Sequence, residues 1–283
     1  MDKVKEKAAQ CLFGICACAS IIVVALICLF IFLKGIPVMF DIGVADFITG
    51  KLWKPLEGLF GILPMIIGSI YVTVGAIIIG VPIGLLCAIF MAKYCNKKFY
   101  KVLKPAVELL AGIPSIVYGF FGLVVIVPII RDLFGESGKG ILAASVLLGI
   151  MILPTIISVS ESAIRSVPES YYEGALALGA TKERSIFKSV LPAAKSGIFA
   201  GVILGIGRAI GETMAVAMIA GNQPIIPESI TSGVRTLTSN IVLEMAYAEG
   251  THEGALIATA VVLFVFILII NFCFSMINRK GSN

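Results

Sequence analysis

Long apolar runs alternate with short charged stretches along the whole chain. Six of the runs, near 11–33, 63–92, 106–130, 140–159, 194–220 and 254–276, match or approach the length a helix needs to cross roughly 30 Å of hydrocarbon. The pattern predicts an all-α, polytopic membrane protein with about six transmembrane helices. The N-terminal lysines and the apolar run behind them mimic a secretory signal. That run exceeds the usual ~7–15 residues and lacks a clear cleavage site, so it is expected to stay as the first span. Residues 1–62 then form the first span and first outer segment, 63–276 the remaining spans, and 277–283 a short tail.

Prolines and glycines punctuate the spans. Pro82, flanked by Gly80 and Gly84, is expected to kink the second. Pro105 is expected to open the third, where its missing N–H costs nothing. Gly112-Ile113-Pro114-Ser115 then interrupts it. A broken span is tolerated only where protein or a wet cavity satisfies the freed backbone groups. Ser115 therefore marks either a pathway helix or a packing kink. The fourth span is expected to end near Pro154. Trp53 and Phe60, in the first outer segment, suit a membrane–water interface. The last outer segment, 221–253, is expected to carry a short amphipathic helix from Ser232 to Ala248. The lone His252 reads as a solvated surface residue, with no metal-ligand cluster near it in sequence.

Composition agrees with the pattern. Of 283 residues, 59% are hydrophobic and 14% charged, with a mean hydropathy of +1.05; soluble domains carry roughly 25% charged residues. The charge is lopsided. Lys3, Lys5, Lys7, Lys93, Lys97, Lys98, Lys101, Lys104, Arg165, Lys182, Arg184, Lys188, Lys195, Arg279 and Lys280 fall on one side of the predicted spans. Only Lys34, Lys51, Lys54, Arg131, Lys139 and Arg235 fall on the other. The positive-inside rule makes the first side cytoplasmic, with both termini and the 160–193 loop inside. The net charge of +5 is thus a topology signal, and no aromatic-interleaved basic patch points to nucleic acid. The seven cysteines lie in spans or on the predicted inner side, where disulfides do not persist. Cys16-x-Cys18 reads as small apolar filling of a membrane helix.

Two constellations carry candidate chemistry. Arg208 and Glu212 lie inside the fifth predicted span, four residues apart and so on one helix face if the helix is continuous. A charge at the bilayer centre costs about 2.5–3.5 kcal/mol, so such residues face the bundle interior or a wet cavity. Gly201, Gly205, Gly211 and Ala215 share that face, which turns bulky only at Ile219. An Arg there suits an oxyanion through its fork of donors, and it equally suits a structural pair with Glu212. Glu108, placed in the first turn after Pro105, reads as a helix-dipole partner or as a contact to a cytoplasmic partner.

The second constellation is the 160–193 loop. Ser170–Leu176 is predicted as a short helix ended by Gly179 in the left-handed conformation, with a second helix from Thr181 stopping at Pro192. Leu176, Leu178, Ile186 and Phe187 form an apolar ridge that suits the groove of a partner protein or a membrane surface. No G-x-x-x-x-G-K-[ST] loop occurs, and Gly135–Gly140 is only a mimic with the wrong spacing. The chain is therefore not expected to hydrolyse ATP, and no zinc motif or nucleophile elbow appears.

Glu173-Gly174-Ala175, then Gly179 and Leu191-Pro192, resemble the EAA loop of bacterial ABC importer permeases, with Gly174 in place of the usual Ala and Ser189 in place of a usual Ile. Residues from about 66 to 275 resemble the transmembrane domain of type I ABC importers. Closer strings are Phe47–Gly50 with Trp53–Pro55 and Phe60–Pro64, Leu110–Gly119, Met151–Thr155, Gly207–Met214, and Arg235–Thr238 with Glu244-Met245. These resemble the permeases of phosphate-specific ABC importers. The resemblance implies a type I importer permease fold over 63–276 and a pore shared with a sister permease of PstA type. It implies two nucleotide-binding subunits of PstB type, which would hold ATP and magnesium, and an extracytoplasmic phosphate-binding protein of PstS type. No cofactor is implied in this chain itself. It assigns inorganic phosphate passage to Arg208 and Glu212, and ATPase coupling to Glu173, Gly174, Ala175, Gly179, Leu191 and Pro192. Ser115 joins the candidate pathway through the break in its span. A permease for molybdate or phosphonate, an ion-driven secondary transporter, and a non-transporting sensory membrane protein remain as alternatives. The 160–193 loop argues against the ion-driven reading, which has no use for it.

Overall fold

A computed structural model describes residues 2–135 and 137–280. Glu136, part of the phosphate-loop mimic, and residues 281–283 of the tail lie outside the described residues. Among the described residues, six helical stretches are long and apolar enough to span a membrane. They begin with α1 (Asp2–Ile42) and α3 (Leu63–Ile89), the latter extended by a π-helical turn at Phe90–Tyr94. The third is built from α5 (Ser115–Phe121), a π-turn at Gly122–Ile126, and α6 (Val127–Phe134). α7 (Ile141–Arg165), α10 (Leu191–Gly211) and α13 (Thr251–Lys280) complete the set.

α3 and α7 form the centre. Small residues let their backbones close up: a Cβ on Gly80 would lie 2.7 Å from the Ile152 side chain, and one on Gly84 2.9 Å from Ile156. Ser145 Oγ donates to Val72 O at 3.3 Å across this pair. In lipid, such close packing and interhelical hydrogen bonds, rather than water exclusion, hold helices together. Gly205 of α10 packs on Ile156 from the other side. α1 lies at the edge against α13, where Gly35 meets Ala258 and Val261. Its apolar stretch is otherwise uncovered in this chain.

The third span differs from the sequence expectation. Lys97–Gly112 forms a separate amphipathic helix, α4, capped by Asn96 Oδ1, which accepts from Phe99 N at 2.7 Å. Pro105 sits inside α4 instead of opening a span, and the membrane helix starts only at Ser115. Glu108 is consequently far from a helix N-terminus and lies 4.0 Å from Lys104, so its dipole role is withdrawn. Lys97 to Lys104 are polar enough to seed a helix but not a crossing.

The lysine-poor side carries a small subdomain. α2 (Val44–Thr49) precedes a two-residue β-ribbon, β1 (Trp53–Lys54) with β2 (Leu59–Phe60), paired antiparallel. α12 (Leu237–Glu244) is capped by Thr236, whose Oγ1 accepts from Ser239 N at 3.2 Å. It is shorter than the expected Ser232–Ala248. Trp53 and Phe60 are buried together with Phe47, Ile62 and Leu237, so they are core rather than interfacial anchors. His252 packs against both rings and reaches Glu244 Oε2 at 2.8 Å, which removes it from the solvated surface.

Candidate functional site

The fifth span is broken where the sequence pattern runs on unbroken. α10 ends at Gly211, Glu212 adopts an extended conformation (φ −68°, ψ 132°), and α11 (Met214–Ile219) restarts the helix. Arg208 and Glu212 therefore do not share a helix face. Glu212 Oε1 accepts from Ala215 N at 3.3 Å, while its carbonyl accepts from Thr238 Oγ1 at 3.0 Å. The structural Arg–Glu pair is not formed. Among the described residues Arg208 makes no ion pair, although it lies within electrostatic reach of the Tyr118 phenol. Tyr118 itself donates to Leu110 O at 2.8 Å, tying α5 back across the Ile113–Pro114 break to α4.

Two broken spans thus meet. α5 packs tightly on α11, since a Cβ on Gly119 would fall 2.6 Å from Met218 Sδ and 3.1 Å from Ala215 Cα. Ser115 is half-buried at the first turn of α5, three residues before Tyr118, and no hydrogen bond joins it to Arg208 or Glu212. Behind the break, Ser69, Thr73, Thr236 and Thr238 line a narrow crevice with Glu212, alongside the apolar Val72, Leu148, Ile210 and Val216. A Cβ on Gly207 or on Gly211 would meet nothing within 4 Å. Open space at Gly207 and Gly211 leaves room along this turn of α10, and among the described residues no acidic side chain pairs with Arg208, whose guanidinium can offer its donors to an anion.

The second constellation forms largely as expected. α8 (Glu169–Ala177) ends in a turn where Gly179 takes φ +83°, and Thr181 caps α9 (Lys182–Ser185) by accepting from Arg184 N at 3.3 Å. Glu173, Gly174, Gly179 and Pro192 are exposed, and Ala175 and Leu191 half-buried. Leu178 is 91% exposed at the tip of the loop, with Leu176 and Phe187 exposed beside it. Ile186 is not part of that ridge; it is fully buried. Nor does the second helix stop at Pro192. A π-turn at Ile186–Val190, in which Leu191 N donates to Ile186 O, carries the helix on into α10, so Pro192 lies inside one helical stretch from Lys182 to Gly211.

Two charged clusters escaped the sequence reading. Glu161, 2% exposed in α7, accepts from Lys104 Nζ at 3.0 Å, from Tyr100 Oη at 3.0 Å and from Arg165. Its only sequence signal was the four-residue spacing to Arg165. On the opposite side Glu244 accepts from Trp53 Nε1 at 2.8 Å and pairs with Arg235 and His252. No local pattern announces a cluster whose members lie in separate elements.

Residues 80–282 match the family described as binding-protein-dependent transport system inner membrane component. The chain belongs to that family. A probable ABC transporter permease protein, YqgH of Bacillus subtilis, is 42% identical over 270 residues, covering 90% of this chain and 87% of that protein. The phosphate transport system permease protein PstC of Mesorhizobium japonicum is 35% identical over 246 residues, covering 80% and 75%. Among solved structures, a chain of the inward-facing MetNI methionine ABC transporter superposes with a TM-score of 0.63 at 22% identity, covering 82% of this chain and all of that one. A bacterial alginate ABC transporter chain gives 0.61 at 16% identity, covering 93% and 94%. The ABC importer permease fold is thereby established for this multi-pass membrane component.

Proposed function

We propose that this chain is the PstC-type permease subunit of an ATP-driven importer for inorganic phosphate. In this reading it lies in a bacterial cytoplasmic membrane with both termini inside. A PstA-type sister permease completes the pore, two PstB-type subunits hydrolyse ATP with magnesium, and a PstS-type protein delivers phosphate from outside. This chain contributes passage and coupling but no catalysis. Binding and hydrolysis of ATP in the partners move the Glu169–Val190 loop, and the spans alternate between outward- and inward-open arrangements. Membership of a binding-protein-dependent family supports this reading over the ion-driven alternative.

The observation that carries the substrate assignment is Arg208, an intramembrane guanidinium without an ion-pair partner among the described residues, next to a helix break and between two glycines with open space at their Cβ positions. Relatives named as phosphate permeases support phosphate over molybdate or phosphonate. A planar fork of donors matches a tetrahedral oxyanion. Co-purification of the tagged chain, followed by radiolabelled uptake of phosphate, molybdate and phosphonate by the reconstituted complex, tests the reading. Uptake of phosphate alone is expected. Preferential uptake of another oxyanion would reassign the substrate, and absence of an ATPase partner would overturn the assignment.

A further inference from the structure

The loop proposed to meet the ATPase subunits is anchored to a second span besides the ones it joins in sequence. α3 ends in the π-turn Phe90–Tyr94, in which Cys95 N donates to Phe90 O at 2.8 Å, five residues back. In an α-helix that N–H would go to Met91 O. The carbonyl so released accepts from Arg165 Nη2 at 2.7 Å. Arg165 closes α7, immediately before the loop, and its guanidinium lies 4.2 Å from the Tyr100 ring centroid.

The last two residues of the π-turn reach the loop itself. Lys93, whose side chain is 12% exposed, extends its Nζ to 3.4 Å from Glu169 Oε2 in the first turn of α8. The same Nζ lies 5.6 Å from the Tyr172 ring centroid, one turn further on. Tyr94 is covered in turn by Lys182 Nζ at 4.9 Å, at the start of α9. Apolar packing backs these contacts: Ala88 is buried with Ile164, Val167, Val190 and Ala194, and Ala92 and Tyr172 pack on that cluster. Three consecutive points of the loop, its entry, α8 and α9, therefore hold on to one π-turn.

We infer that the π-turn at Phe90–Tyr94 is the lever through which the loop moves α3, with Lys93 as the positioning residue that fixes α8 to it. α3 packs along α7 at the centre of the bundle, so a shift of its end is passed to the core rather than absorbed at the edge. The inference rests on the coupling role proposed for this loop. Lys93 contacts neither ATP nor phosphate; its part is to keep α8 and α3 moving as one body.

The test uses the complete complex in liposomes, with external phosphate-binding protein and internal ATP. Phosphate taken up per ATP hydrolysed is measured for the native protein, Lys93→Gln, Lys93→Arg, Tyr172→Phe and Tyr172→Leu. Lys93→Gln and Tyr172→Leu are expected to lower that ratio at least three-fold, with basal ATPase activity kept. Lys93→Arg and Tyr172→Phe, which keep the cation and the ring, are expected to stay within two-fold of native. A Leu178→Cys variant, cross-linked to the ATPase subunit in each background, reports docking separately. A native ratio in Lys93→Gln and Tyr172→Leu, with the cross-link present, would overturn the lever. Loss of the cross-link in the otherwise native background would overturn the coupling reading, and the lever with it.

Discussion

Trp53 Nε1 donates to Glu244 Oε2 at 2.8 Å, joining residues 191 positions apart. The same carboxylate pairs with Arg235 and with His252, and Arg235 also donates to Asn222 O at 3.1 Å and to Asn240 Oδ1 at 3.0 Å. One buried acid thereby ties the β-ribbon, the 221–235 segment, α12 and the start of α13 into one unit on the lysine-poor side. Burial alone would push the Glu244 carboxyl up. The hydrogen bonds from Trp53, His252 and Arg235 outweigh it and hold the carboxyl below its ordinary value near 4.5.

Glu244→Gln is expected to destabilise this unit, because the half-buried Arg235 is left without its counter-charge; breaking a fully buried pair costs about 3–5 kcal/mol, the upper bound here. The pH dependence has a definite sign. A carboxyl that titrates lower folded than unfolded stabilises fully above the ordinary carboxylate range and loses that contribution as pH falls through the lowered value. The melting-temperature gap between native and Glu244→Gln protein should therefore be widest near neutral pH and shrink below about pH 4. A gap that does not change with acidification would show that the Glu244 charge is not what stabilises the unit.

Glycine substitutions separate packed faces from open ones. A Cβ at Gly205 would lie 2.8 Å from Ile156 Cγ1, and one at Gly68 2.6 Å from the Arg235 carbonyl. Gly205→Val and Gly68→Ala are each expected to cost about 1–3 kcal/mol, through displaced helices. Gly207→Ala, with open space at its Cβ, should leave the melting temperature of the purified chain unchanged. Equal losses at all three positions would contradict the packing described.

Much of this architecture was legible in the sequence, for identifiable reasons. The number of spans and the left-handed Gly179 follow from run length and from the residue that best tolerates positive φ, whereas the fourth span runs through Pro154 to Arg165 instead of ending near that proline. The break at Glu212 did not, because Gly211, Thr213 and Ala215 leave the apolar pattern intact across it. Hydrogen bonds from Ala215 N and Thr238, made only in the folded chain, settle that conformation. Ile186 looked exposed because its neighbours Arg184, Phe187 and Lys188 are; the π-turn rotates it inward. Trp53 read as an interfacial residue because Glu244, which draws it in, is 191 positions away, and His252 read as solvated because no local pattern shows that α12 and α13 turn Glu244 toward it.

The proposed orientation is open to labelling. In a cysteine-free background, single cysteines at Asp41, Lys54 and Glu249 should react with an impermeant thiol reagent applied to intact cells, and those at Lys98 and Lys182 should not. Glu249 is preferred to His252, whose side chain is only 15% exposed. External labelling at position 182 would invert the topology.

Gly179→Pro and Glu173→Lys address the loop. Proline is confined to φ near −65° and cannot take the +83° of Gly179, while charge reversal alters an exposed docking surface. Both variants should insert and assemble, yet lose most of the ATPase stimulation by the binding protein. Full stimulation in both would remove the loop from the coupling path.

Arg208 provides the sharpest test of passage. Phosphate must shed water to cross a low-dielectric core, and a fixed cation offsets part of that cost. Arg208 is held in the last turn of α10, with open space at Gly207 and Gly211, and has no ion-pair partner among the described residues. Keeping an intramembrane charge uncompensated costs about 2.5–3.5 kcal/mol, a cost that a bound anion can offset. Arg208→Gln is therefore expected to reduce phosphate uptake to background, with assembly and basal ATP hydrolysis retained. Arg208→Lys should keep weak uptake, since a point charge lacks the planar fork. Glu212→Gln should impair uptake by loosening the break that its carboxylate stabilises through Ala215 N. The double variant Arg208→Glu with Glu212→Arg separates this geometry from a simple ion pair. A helix-spaced pair would tolerate the exchange, whereas residues on opposite sides of a helix break would not. Radiolabelled uptake in cells lacking other phosphate carriers, at matched membrane abundance, is expected to stay at background in the exchanged protein. Restored uptake there, or near-native uptake by Arg208→Gln, would return the two residues to a structural pair.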